Sequence, residues 1–264
     1  MDFWLLYLVT GVFAGFLAGL LGVGGGLVIV PVLVFIFTAQ HFPAEQVMHL
    51  ALGTSLASIM FTSISSLRAH HAHGAVNWVV VRGLTPGIIA GTLGGTMVAA
   101  QLSTSFLKVF FVVFLYYVAT QMIMNIKPKP SRELPGVMGM FSAGGVIGAV
   151  SSLVGIGGGT LSVPFMTWCN VKLHQAIGTS AAIGFPIAVA GAVGYIANGW
   201  ALGTLPAYSL GFVYLPALAG LVAASVLAAP LGARLAHRLP VAKLKKFFAL
   251  LLYALGTRML LSLL

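Results

Sequence analysis

Two glycine clusters are the most distinctive features of this sequence. The first is GVGGG at residues 22–26, and the second is GIGGG at residues 155–159. Glycine lets the backbone approach a ligand closely. A helix that begins after such a cluster directs free N–H groups and the positive end of its dipole at the space in front of it. The alternative for any single glycine is close helix packing. The candidates for binding an anion through the backbone are Gly24, Gly25, Gly26, Gly157, Gly158 and Gly159.

Paired hydroxyl residues follow each glycine cluster within apolar sequence. Thr54-Ser55 and Thr179-Ser180 close the same A-x-G-T-S pattern in the two halves of the chain. Such a hydroxyl can bond the backbone of its own helix, which is its commoner use. It can also donate a hydrogen bond to an oxyanion. We favour substrate binding, because both copies keep both residues.

Histidines form the third group of candidates. His49 and His174 stand five residues ahead of the hydroxyl pairs. Each is either an interfacial polar anchor or a residue that contacts substrate or exchanges protons. His70, His71 and His73 resemble a metal-binding tract, but neither a carboxylate nor a cysteine accompanies them. Divalent-cation sites usually include such ligands, so we expect a solvated loop, no metal site and no cofactor.

Composition identifies the solvent in which these groups work. Of the 264 residues, 59% are hydrophobic and only 6% are charged, whereas a soluble domain carries about 25% charged residues. Long apolar stretches with short polar breaks predict membrane helices and not barrel strands. The net charge of +10 fits the basic loops of a membrane protein, so we expect a lipid bilayer and no nucleic acid as partner. The predicted fold class is an all-α, polytopic membrane protein.

An internal repeat positions the candidate groups. The glycine clusters, the A-x-G-T-S blocks and a later pair of Leu-Lys dipeptides recur in the same order at offsets between 125 and 137 residues. Three ordered blocks indicate a duplication. We predict a first membrane repeat at 1–125, a polar linker at 126–135 and a second membrane repeat at 136–264.

Each repeat contains four apolar segments, and the first of them holds the glycine cluster. That first segment is too long for one straight span and too short for two, since a span needs about 20 residues. Three adjacent glycines are the natural place for it to break. The predicted segments are 3–37, 47–66, 76–100 and 104–125 in the first copy, and 136–169, 174–197, 204–228 and 242–263 in the second.

The distribution of basic residues favours a hairpin at each glycine break. If each broken segment crosses once, the 13 basic residues divide six against seven between the two sides. If each returns to the side from which it came, Lys108 and Arg258 lie on one side and the other eleven lie opposite. Only the second division satisfies the positive-inside rule. It makes the two repeats inverted, and it predicts a cytoplasmic linker with both termini outside.

The repeated motifs resemble a known family. GLLGVGGGLVIVPVL and SLVGIGGGTLSVPFM, each followed by an A-x-G-T-S block, are similar to the duplicated signature of the sulfite exporter TauE/SafE family of membrane permeases. The resemblance covers nearly the whole chain. It implies export or uptake of a sulfur-containing anion such as sulfite, thiosulfate or an organosulfonate, and a plasma (inner) membrane location.

These features predict a transporter that moves a small anion by alternating access around a midplane site between inverted repeats. An intramembrane enzyme acting on a lipid phosphate is one alternative, but the hairpin tips lack the carboxylate, nucleophile and arginine that it needs. A metal-cation permease that uses the histidine tract is the other. The small-residue face Gly87-Gly91-Gly95 allows helix association, either within a subunit or in a homo-oligomer.

Overall fold

Ten α-helices and one short β-hairpin make up the described chain in this computed structural model, which describes residues 3–22, 24–124, 131–236 and 241–262. The all-α prediction is confirmed. The elements are α1 (Phe3–Leu21), α2 (Gly26–Ala39), α3 (Val47–Ala72), α4 (Trp78–Gln101), α5 (Thr104–Ile123), α6 (Val137–Val154), α7 (Gly159–Trp168), α8 (Leu173–Gly199), β1 (Ser209–Leu210), β2 (Val213–Tyr214), α9 (Leu215–Ala236) and α10 (Val241–Leu261).

Seven of these helices are long and apolar enough to cross a membrane: α1, α3, α4, α5, α6, α8 and α9. The helices that follow the glycine clusters are shorter, with 14 residues in α2 and 10 in α7. At 1.5 Å per residue neither spans a hydrocarbon core of about 30 Å. The chain is therefore a multi-pass membrane protein with two short helices inside the bundle.

Two segment boundaries differ from the sequence prediction. Helix α3 continues to Ala72, so His70 and His71 lie in its last turns and not in a solvated loop as predicted. The segment predicted at 204–228 becomes helical only from Leu215, because the β1–β2 hairpin precedes it and Gly211 adopts a positive φ of 53° there. Of the predicted linker, residues 126–130 lie outside the described residues, and 131–135 are irregular.

Both short helices run back towards the end of the bundle from which the preceding helix started. The Tyr7 hydroxyl, near the start of α1, donates to Gln40 Oε1, just beyond α2, at 3.2 Å. In the second half, Trp168 Nε1 at the end of α7 donates to Ser131 Oγ, just before α6, at 2.9 Å. Each glycine break therefore turns the chain through a hairpin. We call the end of the bundle where α1 begins the terminal end, and the end that carries residues 131–136 the linker end.

Stripes of small residues bring long helices into backbone contact. A Cβ placed on Gly11, Gly15 or Gly19 of α1 would collide with the backbone of Leu221, Ser225 or Ala229 of α9, respectively. Because the residue numbers rise together, α1 and α9 run parallel. Helix α4 meets α6 in the same way, through the predicted face Gly87, Gly91 and Gly95. That face therefore serves packing within this chain.

Helices α3 and α8 cross at the centre of the bundle in opposite directions. Gly53 near the start of α3 lies against Tyr195 near the end of α8, whereas Ser63 of α3 lies against Gly184 in the middle of α8. The two helices occupy matching places in the sequence repeat. Helix α1 of the first half pairs in parallel with α9 of the second, and α4 of the first half pairs in parallel with α6 of the second. Corresponding helices of the two halves therefore have corresponding neighbours.

Candidate functional site

The two glycine loops meet between α3 and α8. Gly22–Gly25 connects α1 to α2, and Gly155–Gly158 connects α6 to α7. A Cβ on Gly24 would lie 2.9 Å from both the N and the Cα atoms of Gly157, and a Cβ on Gly26 would overlap the carbonyl oxygen of Gly155. Only glycine permits these backbone-to-backbone contacts. The structure therefore brings together the two clusters that the sequence singled out.

Each short helix begins at a glycine with left-handed backbone geometry. Gly25, which precedes α2, has φ 77° and ψ −11°, and Gly158, which precedes α7, has φ 77° and ψ −10°. An L-residue in this region costs roughly 1–2 kcal/mol. The near-identity of the two conformations shows that the clusters form equivalent turns, and it explains why glycine stands at both positions.

The start of α7 leaves backbone N–H groups without acceptors. Leu161 N and Ser162 N donate to Gly158 O at 3.0 and 2.8 Å. Among the hydrogen bonds of the described residues, none uses the N–H group of Gly157, Gly158 or Gly159 as donor. Such free amides at a helix N-terminus, together with the helix dipole, favour a negative charge. Helix α2 starts in the same way, with Val28 N and Ile29 N donating to Gly25 O at 3.0 and 3.1 Å.

The predicted serines hold the loops in place. Ser55 Oγ of the first half donates to Gly155 O of the second at 2.8 Å. Ser180 Oγ of the second half donates to Gly22 O of the first at 3.1 Å, and it also lies 2.8 Å from Ile177 O. These are equivalent bonds in the two repeats. Each serine therefore binds the first carbonyl group of the glycine loop that belongs to the other half.

The predicted threonines accept hydrogen bonds from the first residues of other elements. Thr54 Oγ1 accepts from Tyr214 N, just ahead of α9, and Thr179 Oγ1 accepts from Asn77 N, just ahead of α4, both at 2.9 Å. Asn77 and Tyr214 also occupy equivalent places, since each lies immediately before the third long segment of its repeat. Both threonines thus already use their hydroxyl groups within the fold.

A small polar cavity lies beside the glycine loops. Its volume is about 10 Å³, which admits one water-sized group. The side chain of Ser66 is 2% exposed, and its Oγ has no hydrogen-bond partner among the described residues. A buried unpaired hydroxyl calls for an explanation. Other buried hydroxyls in the described residues are also unpaired, but of the residues that line this cavity only Ser66 is among them. The cavity is lined by Ala18, Gly22, Gly24, Thr62, Ser63, Ser66, Gly157, Ser180, Ala181 and Gly184.

Of the predicted site residues, only some lie at this cavity. Gly24, Gly157 and Ser180 line it. His49 instead lies near the terminal end, with its Nε2 atom 3.0 Å from Ala99 O and its ring stacked on Phe212 at 5.0 Å. The remaining predicted residues are not part of the lining. Gly25, Gly26, Gly158 and Gly159 lie at the adjoining helix starts, and Ser55 binds the second glycine loop. Thr54 and Thr179 bind the starts of other elements, and His174 is exposed in the first turn of α8.

Sequence reasoning missed the hydroxyl residues of α3. Thr62, Ser63 and Ser66 lie in a run, TSISS, inside an apolar helix. That run was a usable signal, because polar residues within a membrane helix face the interior or a cavity. The run is not kept in the second repeat, so the duplication does not mark it. At the offset that aligns Ser55 with Ser180, the position of Thr62 corresponds to Ile187 in the second repeat.

The matching space on the terminal side of the loops is filled by aliphatic side chains. By the same offset, Ala181 and Gly184 of the cavity correspond to Leu56 and Ile59. A Cβ on Gly24 would lie 3.3 Å from Ile59 Cγ2, and a Cβ on Gly191 would lie 2.7 Å from Leu56 Cδ1. The two half-sites are therefore unequal. Four hydroxyl residues line the one towards the linker end, whereas the other is packed with Leu56 and Ile59 and holds the unpaired Ser151 hydroxyl, 3.4 Å from a Cβ on Gly158.

The histidine tract does not converge on one point. His70 Nε2 lies 3.0 Å from Gly19 O inside the bundle, whereas His71 packs edge-on against Trp78 and His73 Nδ1 lies 2.7 Å from Ala69 O. Within the described residues, no group of three histidine, cysteine or acidic side chains is arranged to hold a metal ion. The tract instead belongs to the packing of the last turns of α3.

Seven apolar helices around two buried glycine hairpins define a multi-pass membrane protein with an internal polar site. The sulfite exporter TauE/SafE family model matches residues 7–259, and the chain belongs to this family of membrane transporters. The resemblance drawn from the glycine motifs is thereby confirmed.

Curated relatives carry transporter names. A probable membrane transporter protein of Haemophilus influenzae is 41% identical over 265 residues, which covers 98% of this chain and 99% of the relative. A probable membrane transporter protein of Methanocaldococcus jannaschii is 26% identical over 267 residues, an alignment that covers 97% of this chain and 95% of the relative. The probable membrane transporter protein YunE of Bacillus subtilis is 28% identical over 214 residues, with 74% of this chain and 78% of the relative covered. No solved structure matches the chain.

Proposed function

We propose that this protein carries a small sulfur-containing anion, such as sulfite, thiosulfate or an organosulfonate, across a plasma (inner) membrane by alternating access. The observation that carries the proposal is the meeting of Gly24 and Gly157, with helix starts and the unpaired Ser66 hydroxyl beside them. The family name supports sulfur as the element in the substrate. Free amides at a helix start and an unpaired hydroxyl beside it suit a small oxyanion.

An anion suits this site better than a cation. The amide groups and dipoles at the starts of α2 and α7 stabilise negative charge without a charged side chain. The described lining contains no acidic residue, and the acidic residues within the described ranges are Glu45 and Glu133, both outside the helices. Cation carriers usually place a carboxylate inside the membrane beside the substrate.

Alternating access is supported by the way in which the two halves are built. Inverted repeats with broken helices recur in transporters and place the substrate where the repeats meet. Here α3 and α8 cross antiparallel, and Ser55 and Ser180 each bind the glycine loop of the other half. Movement of either hairpin away from the opposite half therefore breaks one of these two equivalent bonds. The cavity of about 10 Å³ is too small for a four-atom oxyanion. The hairpins must therefore separate before substrate enters.

The proposed orientation has the linker in the cytoplasm and both termini outside. Lys108 and Arg258 lie towards the terminal end, whereas Arg68, Arg132 and Arg234 lie towards the linker end, which the positive-inside rule favours as cytoplasmic. A monoanion that leaves a negative-inside cell gains about 2.3 kcal/mol per 100 mV. Export therefore needs no coupled ion.

The direct test is anion flux in proteoliposomes that contain the purified protein. Sulfite movement should saturate with concentration and reverse when the imposed potential is reversed. Thiosulfate, sulfonates, sulfate and chloride, added singly as competitors, rank the substrates. Saturable flux of a non-sulfur anion with no competition by any sulfur anion would refute the substrate class. Absence of flux of every anion from a folded, reconstituted protein would refute anion transport.

A further inference from the structure

A second and larger pocket lies on the opposite side of α3 from the central cavity. It is a groove between the linker-end halves of α3 and α9, with a volume of about 520 Å³. Phe61, Ile64, Val226 and Pro230 form its apolar walls. We call it the α3–α9 groove. The proposed transport path does not use it.

The α3–α9 groove is cationic at one end only. Arg68 lies one turn before the end of α3, and Arg234 lies in the last turn of α9, and both line the groove. Both guanidinium groups are exposed, and within the described ranges neither forms an ion pair. At 1.5 Å per residue, the apolar wall from Arg68 to Phe61 extends about 10 Å towards the middle of the bundle.

The groove opens onto the surface that faces lipid. Leu227 and Leu231, the neighbours of two groove residues on α9, are 75% and 58% exposed. An apolar surface of this kind on a membrane helix contacts acyl chains. Its cationic end lies at the level where α3 and α9 end, which is the level of lipid headgroups at the linker side.

We infer that the α3–α9 groove binds an acidic phospholipid of the leaflet at the linker end, with the headgroup phosphate held by Arg68 and Arg234 and one acyl chain against Phe61. Basic pockets between membrane helices on the cytoplasmic side select anionic headgroups in this way. Guanidinium groups suit phosphate because they offer several donors in one plane. The inference depends on the membrane location of the chain and not on its substrate.

The floor of the groove lies against the wall of the central cavity. Ser65 Oγ lines the groove and donates to Val226 O at 2.9 Å. Beside this bond, Thr62 Oγ1 lies 2.7 Å from Ser225 Oγ, and Thr62 also lines the central cavity. A single layer of α3–α9 contacts therefore separates the bound lipid from the cavity.

The test measures lipid binding by native mass spectrometry of the purified protein. Phosphatidylglycerol and phosphatidylcholine with the same acyl chains are titrated against the parent protein, the double variant Arg68→Gln/Arg234→Gln and the control Arg82→Gln. Arg82 is exposed near the linker end on α4 and is not part of the groove. The parent and the control should prefer phosphatidylglycerol by about 30-fold, and the double variant should lose that preference.

Three outcomes would overturn the inference. The first is an unchanged preference in the double variant, and the second is an equal loss in Arg82→Gln, which would mean that the preference reflects overall charge. The third is competition by glycerol phosphate, which has no acyl chains, at the same concentrations as the lipid. That result would assign the groove to a free anion. The location is tested with Phe61→Trp, whose additional fluorescence should be quenched by dibrominated phosphatidylglycerol but not in the double arginine background.

Discussion

Replacement of Gly26 by alanine should reduce transport about 100-fold while it preserves α2. A Cβ at this position would overlap Gly155 O and lie 3.0 Å from both Gly155 C and Ile156 Cα, all of them backbone atoms of the opposite loop. Ordinary contacts between carbon and a carbonyl oxygen are about 3.3–3.6 Å long. The start of α2 must therefore move away from the second loop by roughly 1 Å.

The expected loss is large because the shift lies at the point where the loops meet. A displacement of about 1 Å in a preorganised site can reduce turnover about 100-fold. Overpacking should cost roughly 1–3 kcal/mol of stability, while alanine returns up to about 1 kcal/mol through its better helix propensity. The Gly26→Ala protein should therefore still insert and purify as a folded species, with its flux reduced about 100-fold.

The assay compares initial rates in proteoliposomes for the anion that the parent protein carries. Gly94→Ala is the matched control, because Gly94 is an exposed helical glycine of α4 with no atom within 4 Å of its added Cβ. The control should transport at the parental rate. Parental flux in monodisperse Gly26→Ala protein would refute the argument that transport requires this contact between the loops.

Two further predictions concern the cavity and the orientation. Ser66→Ala should raise the KM for the anion by roughly tenfold or more, because a hydrogen bond to a charged group contributes about 1.5–3 kcal/mol. The control Ser142→Ala, on the exposed face of α6, should leave the flux kinetics unchanged. Equal KM values in the two variants would show that Ser66 does not contact the substrate. In a Cys169→Ser background, a membrane-impermeant maleimide should label Gly203→Cys at the terminal end in intact cells, but Gly136→Cys at the linker end only after permeabilisation. Both glycines have open space around them, and the reverse labelling pattern would overturn the proposed orientation.

The sequence indicated the membrane helices and the importance of the glycine clusters because both depend on strong local physics. Six per cent charged residues cannot cover a water-exposed surface, so the class of protein followed from composition. Gly25 and Gly158 adopt a backbone conformation that other residues disfavour, so their duplication was readable without a structure. The contact of Gly24 with Gly157 was expected only in outline, as a meeting of two hairpins.

The hydroxyl residues show where repeat-based reasoning fails. Ser55 and Ser180 recur because both halves need the same bond to a loop carbonyl, so their duplication reports a structural need. Ser66 has no polar counterpart, since its position corresponds to Gly191 in the second repeat. Duplication preserves what holds a fold together. Ser66 is identified by two structural facts together: its buried hydroxyl has no partner, and it lines the central cavity.

The unequal half-sites affect the side of the membrane to which the proposed transporter opens when no substrate is bound. The bonds that hold the two loops are equivalent, and each such hydrogen bond contributes only about 0.5–1.5 kcal/mol, so the bonds alone leave the two hairpins nearly balanced. Packing breaks that balance. Opening towards the terminal end must separate Ile59 from Gly24 and Leu56 from Gly191, beside the single unpaired hydroxyl of Ser151. Opening towards the linker end exposes Ser66 and its three hydroxyl neighbours instead. Water solvates hydroxyl groups and not aliphatic side chains, so we propose that the substrate-free protein opens preferentially towards the linker end.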